Sequence, residues 1–417
     1  MSYSDFGKKF TQSSGIVELM NDLGEALSIN PNMLFLGGGN PAQIPAAQAL
    51  FKAHLQSIVG QQSQIDRLLG NYQSPQGDPS VCDALASYLK RNLGWDVTRK
   101  NIAIANGSQS AFFIIANLLA GQRGDQETSI HLPVSPEYVG YADSGLSDNF
   151  FSASKPTIEL LPNRMFKYHV DFDHLDIPMT AAALCISRPT NPTGNMLSDT
   201  EVEHLNALAE ARGIPLIIDG AYGLPFPDIR FVPATAIWNN NIIMMLSLSK
   251  LGLPGVRGGI VIGNEEFISD FNAANTVISL ASGTLGPMLL ESMINNNDLD
   301  QLSNSVIQPY YQSSSEFIVA EIQREMSDLP VRIHKAEGAI FVWIWLQDLP
   351  ITSHALYQRC KQRELLVVPG EHFFIGLSDQ WSHKYECLRL SHAQPRSAIS
   401  AGIKILAEEA RAAYRDR

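Results

Sequence analysis

Short apolar runs rich in β-branched residues recur along the middle of the chain, and most are followed by a stretch whose apolar positions fall at helical spacing. The runs at 102–105, 129–133, 182–187, 214–218, 242–247 and 259–263 read as strands, and segments such as 108–120 and 199–212 read as helices. Their alternation predicts an α/β fold, a large domain with a mostly parallel sheet flanked by helices, in which ligands sit at the carboxyl ends of the strands. Past a long helical pattern at 305–328 the order changes. Strand-like runs at 331–334, 339–346, 364–368 and 387–391 and a closing helix at 396–413 predict a smaller α+β domain. Residues 1–30 read as an N-terminal arm with a helix, and the GGGNP run at 37–41 breaks the periodicity and predicts a loop between domains.

Composition narrows the class. With 417 residues, 45% hydrophobic and 17% charged, the chain is long enough for two domains and ordinary for a soluble globular enzyme. Its net charge of −12 argues against nucleic acid and acidic membrane surfaces as partners, because both need a basic face. The longest apolar stretches, near 111–120 and 338–346, fall short of a membrane span, and the first fifteen residues lack the apolar core of a signal peptide. Cys82, Cys185, Cys360 and Cys387 are far apart, which indicates neither a zinc site nor a disulfide framework; ten histidines show no ligand spacing, so no metal is expected. A reducing cytoplasm is the simple inference.

Candidate chemistry lies where the apolar runs end. The run at 242–247 stops at Ser247-Leu248-Ser249-Lys250, with Arg257 seven residues on. A lysine held at the end of a buried strand is partly desolvated and suited to bind an aldehyde cofactor as a Schiff base, and Ser247, Ser249 and Arg257 are suited to a phosphate. Most lysines after a strand simply return to solvent. After the strand at 102–105, a turn at Asn106-Gly107 precedes a helix opening at Ser108-Gln109. Free N–H groups and the helix dipole therefore meet at Gly107, Ser108 and Gln109, which is either a phosphate site or an ordinary capped helix. Asp219 closes the run at 214–218, with Tyr222 three residues later. It is costly to bury without a cationic partner, such as a protonated pyridine nitrogen, unless it only caps the next turn. Asn191-Pro192-Thr193-Gly194 follows the strand at 182–187 as a turn from which Asn191 can point inward.

The order of these segments along the chain resembles that of the fold-type I aminotransferases of class I/II, which use pyridoxal 5′-phosphate (PLP). LGGGNPAQIP (36–45), NYQSPQG (71–77), NGSQSAFF (106–113), SRPTNPTGN (187–195) and SLSKLGLPG (247–255) further resemble the bacterial valine–pyruvate branch of that family. The resemblance implies that Lys250 holds the cofactor and moves the proton, and that Asp219 keeps the ring nitrogen protonated. Asn191 and Tyr222 would hydrogen-bond O3′, and Tyr138 in SPEYVGY would stack on the ring, where its bland alternative is a loop tyrosine filling core. Gly107, Ser108, Gln109, Ser247, Ser249 and Arg257 would bind the phosphate. Arg389, otherwise a surface ion-pair partner, would bind the substrate carboxylate; Gly38 and Gly39, otherwise turn glycines, would add backbone contacts. Tyr72 would reach the phosphate of a neighbouring subunit, implying a homodimer with shared active sites. Residues 45–300 would form the large PLP-binding domain, and 1–44 with 301–417 the small one. The implied substrates are small aliphatic amino acids and 2-oxo acids, valine with pyruvate first, with Leu36 and Ile44 as candidate pocket residues. The same cofactor residues would also serve an aminotransferase of broader or aromatic specificity or a β-lyase of this fold. A regulatory binding protein on the same fold would carry an added DNA-binding module or lack the lysine.

Overall fold

Apolar residues that face alternately to the two sides of the central strands set the layers of the structure, a computed structural model that describes residues 2–11 and 15–416. Parts of the N-terminal arm, residues 1 and 12–14, lie outside the described residues. The strands are β1 (Leu34–Phe35), β2 (Ile102–Ala105), β3 (Gly121–Arg123), β4 (Gln126–Leu132), β5 (Phe151–Ala153), β6 (Pro156–Leu161), β7 (Met165–Val170) and β8 (Ala181–Ser187). They continue with β9 (Leu216–Asp219), β10 (Ile242–Ser247), β11 (Gly259–Ile262), β12 (Val331–His334), β13 (Phe341–Leu346), β14 (Leu365–Leu366), β15 (Val368–Pro369) and β16 (Cys387–Ser391). The large sheet runs in the order β2-β11-β10-β9-β8-β4-β3, with β5 beside β4. Its centre, β10-β9-β8-β4, is parallel, while β11 is antiparallel to both of its neighbours.

Every residue of β8, β9 and β10 is buried, as expected for strands covered on both faces. Ile217 joins one core with Phe112 and Ile115 of the helix Ser108–Leu119, whereas Leu216 and Ile218 join the other with Leu85 of the helix Pro79–Leu93 and Leu205 of the helix Asp199–Ala211. The period of two thus lays helices on both sides of the sheet. Local signals set the helix starts. Ser198 and Glu201 form a reciprocal capping box, and Asp78 caps the helix at 79 by accepting from Ser80 N–H.

A second sheet, β15-β16-β13-β12-β7-β6, is built mainly from the C-terminal strands. The sequence reading did not anticipate the hairpin β6–β7, which lies early in the chain yet joins this sheet through the parallel pairing of β7 with β12. The two-stranded pair β1–β14 ties the segment after the arm to the C-terminal region, where the helix Arg396–Arg415 buries Ile399, Ile403, Leu406, Ala410 and Ala413 along one face. Among the described residues, no helix is long and apolar enough to cross a membrane, and the four cysteines are unbridged.

Candidate active site

The carboxyl ends of β2, β8, β9 and β10 bring Ala105, Ser187, Asp219 and Ser247 to one edge of the large sheet. Asp219 lies in register with Ser187 on one side and Met245 on the other. Above this edge is a cavity of about 680 Å³, lined among others by Lys250, Asp219, Tyr222, Asn191, Tyr138 and Arg389.

Lys250 extends into the cavity, where its Nζ donates to the Gly39 carbonyl at 2.7 Å and lies 5.3 Å from the centre of the Tyr222 ring. Burial, with the Arg389 guanidinium, lowers its pKa to about 8, so roughly a tenth of the amine is neutral at pH 7, far more than for an exposed lysine. Asp219 is buried; Oδ2 accepts from the Tyr141 hydroxyl at 2.8 Å and Oδ1 from the Ala221 N–H at 2.9 Å. Burial pushes its pKa up, as expected of a carboxylate shaped for a cation that the polypeptide itself does not place in contact with it.

At the other end, Gly107 caps the helix Ser108–Leu119 at φ +96°, and its missing Cβ would sit 2.7 Å from Nη2 of Arg257. Only glycine both adopts that backbone and leaves the guanidinium space beside the helix N-terminus. Arg257, with Ser247 and Ser249 on the cavity wall, completes a cradle of donors suited to a phosphate. The Gln109 side chain is occupied, donating to the Gly140 carbonyl at 2.8 Å, so its backbone is the part left for an anion.

Arg389 on β16 is 6% exposed and meets no carboxylate among the described residues. Nη1 donates to Asn191 Oδ1 at 2.9 Å and Nη2 to the Gly37 carbonyl at 2.8 Å, while the buried Nε has no partner. The Phe341 and Phe373 rings lie 4.1 and 5.0 Å from its central carbon. Burial lowers its pKa to about 10. Such an oriented, incompletely satisfied guanidinium is suited to a ligand carboxylate.

Most of the residues singled out from sequence therefore converge here, Gly38 and Gly39 included. Two groups do not. Tyr72 stands on the surface, 85% exposed, away from its own chain's cavity. Leu36 and Ile44 are core residues rather than pocket lining: Leu36 packs against Gly402 of the C-terminal helix. The apolar wall comes instead from Met20, Leu23 and Leu27 on the arm helix Gly15–Ile29 and from Phe35. Sequence reading also missed Tyr141, three residues after Tyr138 in the same motif, and Gly37, the first glycine of the run that gave Gly38 and Gly39.

Comparisons with known proteins place the chain in a family. Residues 33–400 match the family described as aminotransferase class I and II. The chain is 49% identical to valine–pyruvate aminotransferase of Escherichia coli K12 over 415 residues, 99% of each chain. The crystal structure of valine–pyruvate aminotransferase from Salmonella typhimurium LT2 superposes with a TM-score of 0.90 at 47% identity, covering 97% of this chain and 100% of that one. A multiple substrate aminotransferase from Thermococcus profundus, at 20% identity and a TM-score of 0.81 over 100% of this chain and 98% of that one, shares the fold.

Proposed function

The chain belongs to the class I and II aminotransferases and is a PLP-dependent transaminase, and from that membership we propose that it moves an amino group between small aliphatic amino acids and 2-oxo acids, chiefly from valine to pyruvate. The observation that carries the reading is that Lys250, Asp219 and Arg389, an amine, an acid and a receptor suited to a carboxylate, line one cavity, with the charges of both partners acting on Lys250. The near full-length identity with the E. coli enzyme supports the choice of substrates.

PLP, when bound, supplies the electron sink for the pair left when the amino acid loses its α-proton. The residues that would hold it fit: a cradle at Gly107, Ser108, Gln109, Ser247, Ser249 and Arg257 for the phosphate, and the Asp219 carboxylate for the ring N–H. Tyr138 lines the same cavity and would stack on the ring. Arg389 engages the oxygen of the Asn191 amide, so the nitrogen of that amide is the end left to meet O3′, beside Tyr222.

With PLP in place, Lys250 Nζ would be the group that takes the proton from the substrate Cα and gives it back on the cofactor side, and its pKa, lowered by burial to about 8, would suit it to both roles. Arg389 fixes the substrate carboxylate by two parallel bonds and so sets the direction of the Cα–H bond. The substrate side chain would lie toward Leu23 and Leu27, apolar residues of the arm helix that line the cavity. Valine exceeds alanine by two carbons, and each methylene in an apolar pocket is worth roughly 1–3 kcal/mol of discrimination, so a site serving both is tuned tightly to neither.

Residues 1–44 with 301–417 would act as one unit, carrying the apolar wall and Arg389 against the 45–300 unit that carries Lys250, with hairpin β6–β7 crossing into the second sheet. Supporting this are the β1–β14 pairing and the contact of Leu36 with the C-terminal helix. The second copy in a homodimer would supply Tyr72. Leu69, Tyr72, Val277, Ile278 and Leu280 are exposed apolar residues that such a dimer would bury, and Thr284 Oγ1, donating to the Leu68 carbonyl, links the two segments on which they lie.

The test of substrate class is kcat/KM for valine, alanine, aspartate, glutamate and phenylalanine with pyruvate or 2-ketoisovalerate as acceptors. Valine and alanine should lead; preference for aspartate, glutamate or phenylalanine would contradict the reading, and ammonia release without an acceptor would make the enzyme a lyase.

A further inference from the structure

Glu137 precedes Tyr138, and its side chain is completely buried with no part in the roles assigned above. Oε1 accepts from the Ser187 N–H at 2.8 Å, while Oε2 lies 2.5 Å from Ser187 Oγ and accepts from the Tyr138 N–H at 3.3 Å. The Glu137 N–H donates to the Phe373 carbonyl at 2.9 Å. One residue therefore joins the end of β8, the loop that carries Tyr138 and the turn whose Phe373 ring lies against Arg389.

The titratable groups that face Glu137 are Cys185 on β8, Asp219 on β9, and Tyr138 and Tyr141 on its own loop; on the 370–373 turn, Glu371 accepts from Ser353 instead. None of these is a cation. A carboxylate buried without a cation is costly, and a second carboxylate on the neighbouring strand adds repulsion. Burial, aided by Asp219 and opposed by the donors at Ser187 and Tyr138, pushes the Glu137 carboxyl up to about 8. Asp219 differs, because the charge of Lys250 acts on it and the ring nitrogen of a bound cofactor would supply a counter-charge.

Ser187 has a single hydroxyl hydrogen and lines the cofactor cavity. Were Glu137 ionised, that hydrogen would be spent on Glu137 and Ser187 would offer the cavity only lone pairs. A neutral Glu137 reverses the bond. We propose that Glu137 is a positioning residue that works as a neutral acid: it donates its O–H to Ser187 Oγ, turns the serine hydrogen toward the cofactor cavity, and pins the Tyr138 loop above it. The role of that hydrogen rests on the cavity being the PLP site; the protonation state of Glu137 does not.

Two measurements on the full-length holoprotein test it separately. In thermal unfolding between pH 5 and 9, Glu137→Gln is compared with wild type. An unfolded glutamate ionises near 4.5 and the folded one near 8, so wild type bears a penalty that grows across that interval and glutamine bears none. The Tm advantage of the glutamine variant should therefore grow by several degrees from pH 5 to pH 8 and then level off. A difference that is constant, or that turns against glutamine as pH rises, would show an ionised Glu137 and overturn the proposal, as would a glutamine variant that fails to fold. In the second measurement, at pH 7, Glu137→Gln should keep kcat/KM and PLP affinity within about threefold of wild type, while Glu137→Ala and Ser187→Ala each weaken PLP binding by roughly tenfold. Equal losses in the glutamine and alanine variants would reject the donated bond. If the protein proved not to use PLP, the unfolding measurement would still decide the state of Glu137.

Discussion

At the scale of the residue, the site is a set of charges kept apart until a ligand joins them. Asp219 and Arg389 are both buried, yet neither has a partner of opposite charge within hydrogen-bonding distance among the described residues; each is fixed by neutral groups, Tyr141 and Ala221 for one, Asn191 and Gly37 for the other. Leaving buried charges short of partners costs stability, and the arrangement is justified only if a cationic ring and an anionic substrate restore the balance. Asp219→Ala should therefore lower kcat of the half-reaction by about 10²-fold or more with little change in KM, since the lost interaction is with charge that strengthens in the transition state. Stopped-flow measurement of the valine half-reaction reads this directly, and near-wild-type turnover would remove Asp219 from the mechanism. Lys250 and Asp219 could be singled out from sequence because each stands where an apolar run ends, whereas Arg389 was singled out only through the family resemblance. Tyr141 and Glu137 were not, because a loop motif does not tell which of its side chains turn inward.

Elements explain what the motifs could not. The carboxyl ends of the large-sheet runs were readable to within a residue, as at 102–105 and 242–247, because a strand covered on both faces is a continuous apolar run with a sharp polar stop, whereas β4 begins three residues before the run expected at 129–133. Hairpin β6–β7 escaped for the opposite reason: β6 pairs only with β7, exposes residues such as Leu160, and has no clean apolar signature. The helix at 108 was legible, but the reason for its glycine was not. Gly107 combines φ +96° with the 2.7 Å gap to Arg257. Gly107→Ala should cost about 1–3 kcal/mol of stability from backbone strain and, by displacing Arg257, weaken PLP binding at the same time. Denaturant unfolding with a PLP titration checks both, and a stable variant of unchanged affinity would remove Gly107 from the cradle.

For the whole molecule, the cavity is assembled from segments remote in sequence. Lys250 meets Gly39 across 211 positions, Asn191 meets Arg389 across 198 and Gly37 meets Arg389 across 352. Periodicity is a local signal and does not report such closures, which is why Leu36 and Ile44 looked like pocket residues while the arm helix with Leu23 and Leu27 went unnoticed. The proposed dimer extends the same closure to a second chain. Mixing Lys250→Ala subunits with impaired Tyr72→Phe subunits should restore part of the activity, because one site of each hybrid regains both wild-type residues. Absence of complementation, or a strictly monomeric protein at assay concentration, would count against a shared site.

The claim on which the rest depends is that the lysine at the end of β10 carries the cofactor. Borohydride treatment of the holoprotein followed by peptide mass mapping addresses it most directly. A pyridoxyl group on Lys250, with none retained covalently by Lys250→Ala, is the expected result; a modified peptide elsewhere in the chain would contradict the account.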